Sequence, residues 1–289
     1  MSFFVAEPDG VLRPLPAARA HWGGGQLRGM ATSGALARAA EQALQHSGGS
    51  SLLRPARWTV DLLRPAAYEP CEATAEIVRL GRRLCLIEAS LRQRDVLVGR
   101  ATALFLAAGG PVSGKVWAPS AVPEPPPQDL RPETAEPRIY HSTSVGWTSS
   151  PEPHQNADRK MLWAFPQQLV RGEQPTPFQN AAAVADLVNV VANWGDAGLE
   201  FINADLVLAL SRTPGADLQL GLSAELRAED DGVSTSTATV FDRSGVLGTV
   251  TGAALAAPAP VDLRIVGAVP GDSVSDEAPR KSGLSDRAG

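Results

Sequence analysis

A helix-like segment followed by four strand-like segments occurs twice in this chain, in the same order. In the first half, a short strand-like start and a Gly-rich turn lead into helical periodicity over residues 26–45. Residues 57–63, 73–79, 84–91 and 96–106 then read as strands. In the second half, residues 179–193 read as a helix, and 201–211, 218–228, 233–241 and 246–255 as strands. Residues 242–245 have the composition of a hairpin turn joining the last two. The halves also match in detail. Thr59 and Asp61 open the first long strand of one half, and Asn203 and Asp205 open its counterpart. Period-two alternation puts each pair on one strand face. A helix plus an antiparallel meander, twice over, implies a duplicated α+β unit. Each unit alone would leave sheet edges open, so the two copies are expected to pack side by side.

Between the units, residues 108–138 carry Pro119, Pro123, Pro125, Pro126, Pro127, Pro132 and Pro137 and few apolar side chains. That composition predicts an extended Pro-rich linker. The expected division is therefore an N-terminal unit over 1–107, the linker, a C-terminal unit over 139–264, and a disordered tail over 265–289 rich in Gly, Pro, Ser, Asp and Arg.

Composition narrows the function classes. With 44% hydrophobic and 20% charged residues, the 289-residue chain has the makeup of a soluble globular protein. A net charge of −5 supplies no basic footprint for nucleic acid. Cys71 and Cys85 lack paired-cysteine spacing and read as buried small hydrophobes, and the four scattered histidines form no metal constellation. The first residues have neither the basic start nor the apolar length of a signal peptide, and no apolar run is long enough to span a bilayer. A cytoplasmic enzyme or binding protein is the expectation.

The helix of the second half holds the most unusual residue. Ala181, Val184, Ala185, Val188, Val191 and Ala192 form an apolar stripe, and Leu187 and Val190 lie round the other side. Such a helix belongs in a core. Asp186, Asn189 and Asn193 make its only polar line, at i, i+3 and i+7. An acid there loses hydration, at a cost of roughly several kcal/mol unless a partner compensates. Thr176 and Pro177 supply an N-cap and a first-position proline, and Thr176 with Gln179 has capping-box spacing.

These residues reach a known family. Asp61-Leu-Leu-Arg-Pro65, Gly81-Arg-Arg-Leu-Cys-Leu-Ile-Glu-Ala-Ser90, Ala185-Asp-Leu-Val-Asn189 and Phe201-Ile-Asn-Ala-Asp-Leu206, in that order, resemble the thioesterase II-like acyl-CoA thioesterases. The resemblance covers roughly residues 3–107 and 140–257. It implies an α+β double hotdog that associates into homo-oligomers. It implies hydrolysis of acyl-CoA, or a related acyl thioester, to free acid and CoA by water, with no cofactor and CoA entering only as part of the substrate. In that family an Asp on the second helix, a Thr or Asn on the next strand and a Gln on the last strand hold the hydrolytic water. Those positions fall here on Asp186, Asn203 and Thr251, with Asn189 available to complete the cage around water and substrate. Thr251 stands where Gln is usual; it is shorter and cannot hold the same geometry. The alternative is an acyl-CoA-binding double hotdog that has lost hydrolysis. A hydratase on the same fold would want an Asp/His pair, and no histidine sits near the helix of the second half.

Other signals carry less. Gly109 to Lys115 nearly spells a phosphate loop, but Val116 and Pro119 follow where Ser or Thr and a helix are required. Gly23 to Gly29 misses the dinucleotide spacing and reads as glycines allowing close packing of the first helix. His154 and Asp158 echo an acyltransferase motif in what reads as a solvated loop. No Gly-x-Ser-x-Gly elbow is present. Asp61 and Asp205 rival Asp186 as acids, but their twin placement argues for a shared structural role. Thr235, Thr237 and Thr239 read as one face of a strand, and Trp147, Trp163 and Trp194 as packing residues.

Overall fold

The computed structural model describes residues 1–21, 25–49, 51–118 and 122–265, so the expected disordered tail lies outside the described residues from 266 onward. The N-terminal half comprises β1 (Ser2–Ala6), β2 (Leu12–Pro14), α1 (Gly29–His46), β3 (Leu53–Asp61), β4 (Glu72–Leu80), β5 (Leu84–Gln93) and β6 (Val96–Ala107). The C-terminal half opens with β7 (Arg138–Ser142), β8 (Gly146–Thr148), β9 (Lys160–Ala164) and β10 (Gln168–Val170). It continues with α2 (Pro177–Ala185), α3 (Val188–Asn193), β11 (Trp194–Gly195), β12 (Gly198–Asn203), β13 (Asp205–Leu210), β14 (Leu220–Asp230), β15 (Val233–Asp242) and β16 (Gly245–Val261).

One antiparallel sheet runs through both halves in the order β4-β5-β6-β3-β13-β16-β15-β14-β9-β7-β8, with β12 paired to the far end of β16. The halves join where β13 lies against β3, which places Asp205 opposite Asp61 and Val207 opposite Thr59. The two rival acids thus mark the seam. Asp61 accepts from Arg100 Nε at 2.6 Å, and Asp205 accepts the Ala253 backbone N–H at 2.6 Å. Side-by-side pairing removes one edge from each unit.

The sheet wraps its helices, giving the double hotdog. Trp58, Val60, Ile87, Leu208, Val240 and Val250 are among the side chains on the helix-facing side, all essentially inaccessible. Small residues let the helices approach closely: a Cβ placed on Gly34 of α1 would stand 2.3 Å from Leu169 Cδ2 and 3.4 Å from Ala183 Cβ of α2. Ser33 Oγ donates to the Ala182 carbonyl at 2.6 Å and accepts from Trp58 Nε1 at 3.0 Å, tying α1, α2 and β3 together. The α2 start forms as its sequence predicts. Pro177 is the first helical residue and the capping box of Thr176 and Gln179 is complete.

Three expectations need correction. The helix over 179–193 is two helices: the N–H groups of Asp186 and Leu187 reach back only three residues, to Ala183 and Val184, and the winding resumes at Val188. The strand expected over 201–211 breaks at Ala204; β12 and β13 both lie along β16, but on their other side β12 pairs β11 and β13 pairs β3. The segment 108–138 is not uniformly a loose connector. Pro126, Glu136 and Arg138 are buried, and Arg243 Nη1 donates to the Pro126 carbonyl at 2.9 Å. Leu130, with Trp147, Met161 and Phe165, packs on Ile139, Trp163 and Phe241, a small second core separate from the main one. The latter part of the segment is a strap on the C-terminal unit.

Candidate active site

The break between α2 and α3 defines the site. Asp186 is the C-cap of α2 and its side chain is partly buried. Asn203, last residue of β12, donates its single Nδ2 group to the Asp186 backbone carbonyl at 2.8 Å and to Oδ1 at 2.9 Å. The first turn of α1 approaches from the other half. A Cβ on Gly29 would stand 2.1 Å from Asp186 Oδ1, and the Met30 backbone N–H is directed at the carboxylate. The N-cap of α1, Arg28, makes no side-chain cap of its own, so Asp186 supplies from the opposite half the negative charge that a helix start favours. Burial raises the Asp186 pKa, against the opposing pull of Asn203, Arg28, the Met30 N–H and Arg138.

Charged side chains absent from the sequence reading surround this pair. Glu136 of the strap accepts from Arg28 Nη1 at 3.1 Å and from Arg28 Nη2 at 2.6 Å. Arg138 of β7 stands 3.4 Å from the same carboxylate and donates through Nε to Tyr140 Oη at 3.0 Å. His21 Nε2 lies 3.1 Å from Glu136 Oε1. Glu136, Arg28 and Arg138 are 7%, 9% and 5% exposed. Burial alone would push the Glu136 carboxyl up; Arg138, His21 and Arg28 outweigh it and hold the group well below the usual carboxylate range. Alternation along Glu136-x-Arg138-x-Tyr140 was the available signal, since it marks one face of a strand.

The other expected site residues lie elsewhere. Thr251 is exposed, in register with Val207 and Thr237 on the outer face of the sheet. Its neighbours Val250 and Gly252 face the helices: Val250 is fully buried, and a Cβ on Gly252 would stand 3.1 Å from Val188 Cγ1. Thr251 is therefore turned away from Asp186, because successive strand residues point to opposite faces. Asn189 is buried and committed to structure: its Nδ2 donates to the Phe201 carbonyl at 2.6 Å, and its Oδ1 accepts from Asn193 at 2.8 Å. Asn193 in turn accepts from Arg227 Nε and Ser234 Oγ, each at 2.8 Å. His154 is not on a solvated loop. It is fully buried, its Nδ1 is 3.0 Å from Ser142 Oγ, and its Nε2 is 2.7 Å from Thr148 Oγ1.

The matching place in the other half is closed. Glu41 of α1 meets the start of α2, accepting from Thr176 Oγ1 at 2.6 Å and Gln179 Nε2 at 2.8 Å. The capping box occupies the Thr176 and Gln179 N–H groups, and Pro177 has none. Among the described residues, no group of three or more His, Cys, Asp or Glu side chains is placed to hold a metal ion, and no helix is long and apolar enough to cross a membrane.

Two helix-and-sheet units fused in one chain, with an acid of one unit set on the helix start of the other, define a double-hotdog protein. The acyl-CoA thioesterase N-terminal domain model matches residues 18–106 and the C-terminal domain model matches residues 118–255, so the chain belongs to the acyl-CoA thioesterase family. The C-terminal match begins within the segment expected to be linker, as the buried strap does. Solved structures of the same fold include a TesB protein of Mycobacterium avium subsp. paratuberculosis, 19% identical with a TM-score of 0.58, covering 86% of this chain and 92% of that one. An acyl-CoA thioesterase II, TesB2, from Mycobacterium marinum is 17% identical with a TM-score of 0.58, covering 88% and 94%. A hot dog protein of unknown function from Alicyclobacillus acidocaldarius is 19% identical with a TM-score of 0.58, covering 84% and 92%. At these identities the likeness is one of fold. No curated protein matches the chain.

Proposed function

We propose that this protein hydrolyses acyl-CoA thioesters with water as the nucleophile, Asp186 acting as general base. The observation that carries the reading is the Asp186 carboxylate, raised in pKa by burial, held by Asn203 and set against the first turn of α1. A base needs a raised pKa and a fixed lone pair, and this arrangement supports both. Asn203 and the Met30 N–H hold the carboxylate in place, and its oxygens take a proton from water. The oxyanion that forms at the thioester carbonyl needs donors close to the base. The first N–H groups of a helix have no carbonyl of their own helix to bond, and the first turn of α1, packed against Asp186, supplies donors of this kind. Collapse of the tetrahedral intermediate expels the CoA thiolate, which takes up a proton, and leaves the free acid. The reading requires no group beyond water and substrate, and no acyl-enzyme.

One active centre per chain follows from the same logic, since the start of α2 is closed by its capping box. The test is release of free thiol from short, medium and long acyl-CoAs by wild type and Asp186→Asn. Unchanged turnover in the variant refutes the assignment.

A second reading has a specific observation behind it. Gly252, not a glutamine, faces the helices from the last strand, and Val188 leaves its Cβ little room. An acyl-CoA-binding protein without hydrolysis would fit that loss. Binding of a non-hydrolysable acyl-CoA thioether, together with no thiol release from any chain length, would favour it over the enzyme.

A further inference from the structure

We infer that Glu136 is a positioning residue for the hydrolytic reaction: by gripping Arg28 and Arg138 together, it fixes two buried guanidiniums beside the base and ties the strap to the active centre. The inference rests on the hydrolytic reading of Asp186.

The geometry is that of a built cluster. Glu136 binds both terminal nitrogens of Arg28, at 3.1 and 2.6 Å, and lies 3.4 Å from Arg138. Arg28 directly precedes Gly29, the residue pressed against the Asp186 carboxylate. The Glu136–Arg28 bond therefore anchors the first turn of α1, the part that faces both base and reacting carbonyl. The cluster joins three parts of the sequence: the approach to α1, the strap and β7. Every member is nearly buried, so the charges act through little water.

Charge balance gives the cluster its function. Arg28 and Arg138 carry two positive charges, and Glu136 and the ionised Asp186 carry two negative ones. With Glu136 in place, the field on Asp186 is nearly neutral, and burial keeps the base strong. Without it, two guanidiniums face Asp186 alone and weaken it. Without Arg138, the residual negative charge strengthens it. The other groups facing the pair are His21, beside Arg28 and Glu136, Tyr140 on β7, and the neutral amide of Asn203 on β12. The carboxylate of Glu136 reaches the centre on a strap whose Leu130 packs on the Trp163 and Phe241 core, so movement of that strap would be felt at the base.

The experiment is the pH profile of kcat/KM, by thiol release from the acyl-CoA that wild type turns over fastest. Glu136→Gln is expected to move the acid limb down by about one pH unit and to lower the plateau roughly tenfold. Arg138→Gln is expected to move the limb up by about half a unit or more, and Arg138→Lys to leave it in place. Opposite displacements by an acid and a base are what a purely structural role would not produce. Limbs that stay still, or move the same way in both, overturn the inference. If Glu136→Gln melts below the assay temperature, Glu136→Asp, which withdraws the carboxylate by one methylene, is read instead; a smaller downward shift supports the inference and none refutes it. Asp186→Asn in the same assay separates the two failures. An active Asp186→Asn sinks the hydrolytic base itself. An inactive one alongside unmoved limbs sinks only the role of Glu136.

Discussion

The carboxylate of Asp186 lies so close to Gly29 that a single methyl group on Gly29 would stand 2.1 Å from Oδ1 and 2.7 Å from Oδ2. The acid comes from the second half and the glycine from the first, so the contact is made only when the two units are docked. Gly29→Ala must push the two apart. The Gly29 conformation is ordinary for any residue, so the effect is steric. We expect about 1–3 kcal/mol of destabilisation from overpacking and at least a hundredfold loss of thiol release, measured by chemical denaturation and by turnover. Wild-type turnover in Gly29→Ala would show that the contact is not part of the reaction centre.

Asn203 makes the next prediction. Its Nδ2 spans the Asp186 carbonyl and carboxylate at 2.8 and 2.9 Å, and its bond favours the charged acid. Asn203→Ala removes both bonds. Stability should fall by about 1–2 kcal/mol. Asp186, already raised by burial, should rise further, so the acid limb of kcat/KM moves to higher pH while the plateau drops about tenfold or more. An acid limb that moved to lower pH would contradict the assigned bond.

The fold was legible because its signals are periodic. Helical spacing marked α1 and α2, and alternation marked β4, β5, β6, β14 and β15 close to their limits, while β16 runs on to Val261, well past the expected end at Leu255. Asp186 stood out because an acid in an apolar helix is chemically expensive wherever the chain places it. The break after it was hidden, since a tight turn within an apolar run leaves the spacing of apolar residues almost intact. Thr251 failed for another reason. Alternation tells which residues share a face but not which face is inward, and an error of one residue exchanges Thr251 for Gly252. Arg28, Glu136 and Arg138 were not legible as a cluster. Arg28 and Glu136 are 108 positions apart, and in sequence a buried guanidinium reads like any surface charge.

The start of α2 offers a test independent of catalysis. Thr176 Oγ1 accepts from the Gln179 N–H at 3.1 Å and donates to Glu41 at 2.6 Å, so one hydroxyl caps α2 and ties it to α1. Thr176→Ala should cost about 1–2 kcal/mol, more than the cap alone, because Glu41 is left with one donor. Thr176→Ser should recover most of it. Thermal melting of the two variants measures the difference. Turnover should fall far less than in Asn203→Ala, since the capped end of α2 is not the end that carries the base.

Acid stability makes the last prediction, and its sign depends on four buried groups. Burial first, then His141 and Lys160, lower the His154 pKa from 6.5 to about 4. A depressed histidine is neutral in the folded chain while the unfolded chain takes up its proton, so stability declines as pH falls from about 6.5 towards 4. Glu136 acts lower: its depressed carboxyl contributes stability above the ordinary glutamate range, and that contribution is lost as pH falls below about 4.5. Asp186 and Glu41, both raised by burial, have the opposite sign and gain stability on protonation. The His154 contribution is isolated by comparing wild type with His154→Gln across pH. Glutamine can bond Ser142 and Thr148 but cannot titrate. At pH 7 the variant should be the less stable, through lost packing against Tyr140 and Trp194. The gap should then shrink by about 2 kcal/mol between pH 7 and pH 4, read from urea midpoints, because only wild type has an imidazole to protonate. A gap that stayed constant over this range would mean that His154 takes up its proton as easily in the folded chain as in the unfolded one, against its enclosure by Ser142, Thr148 and the rings of Tyr140 and Trp194.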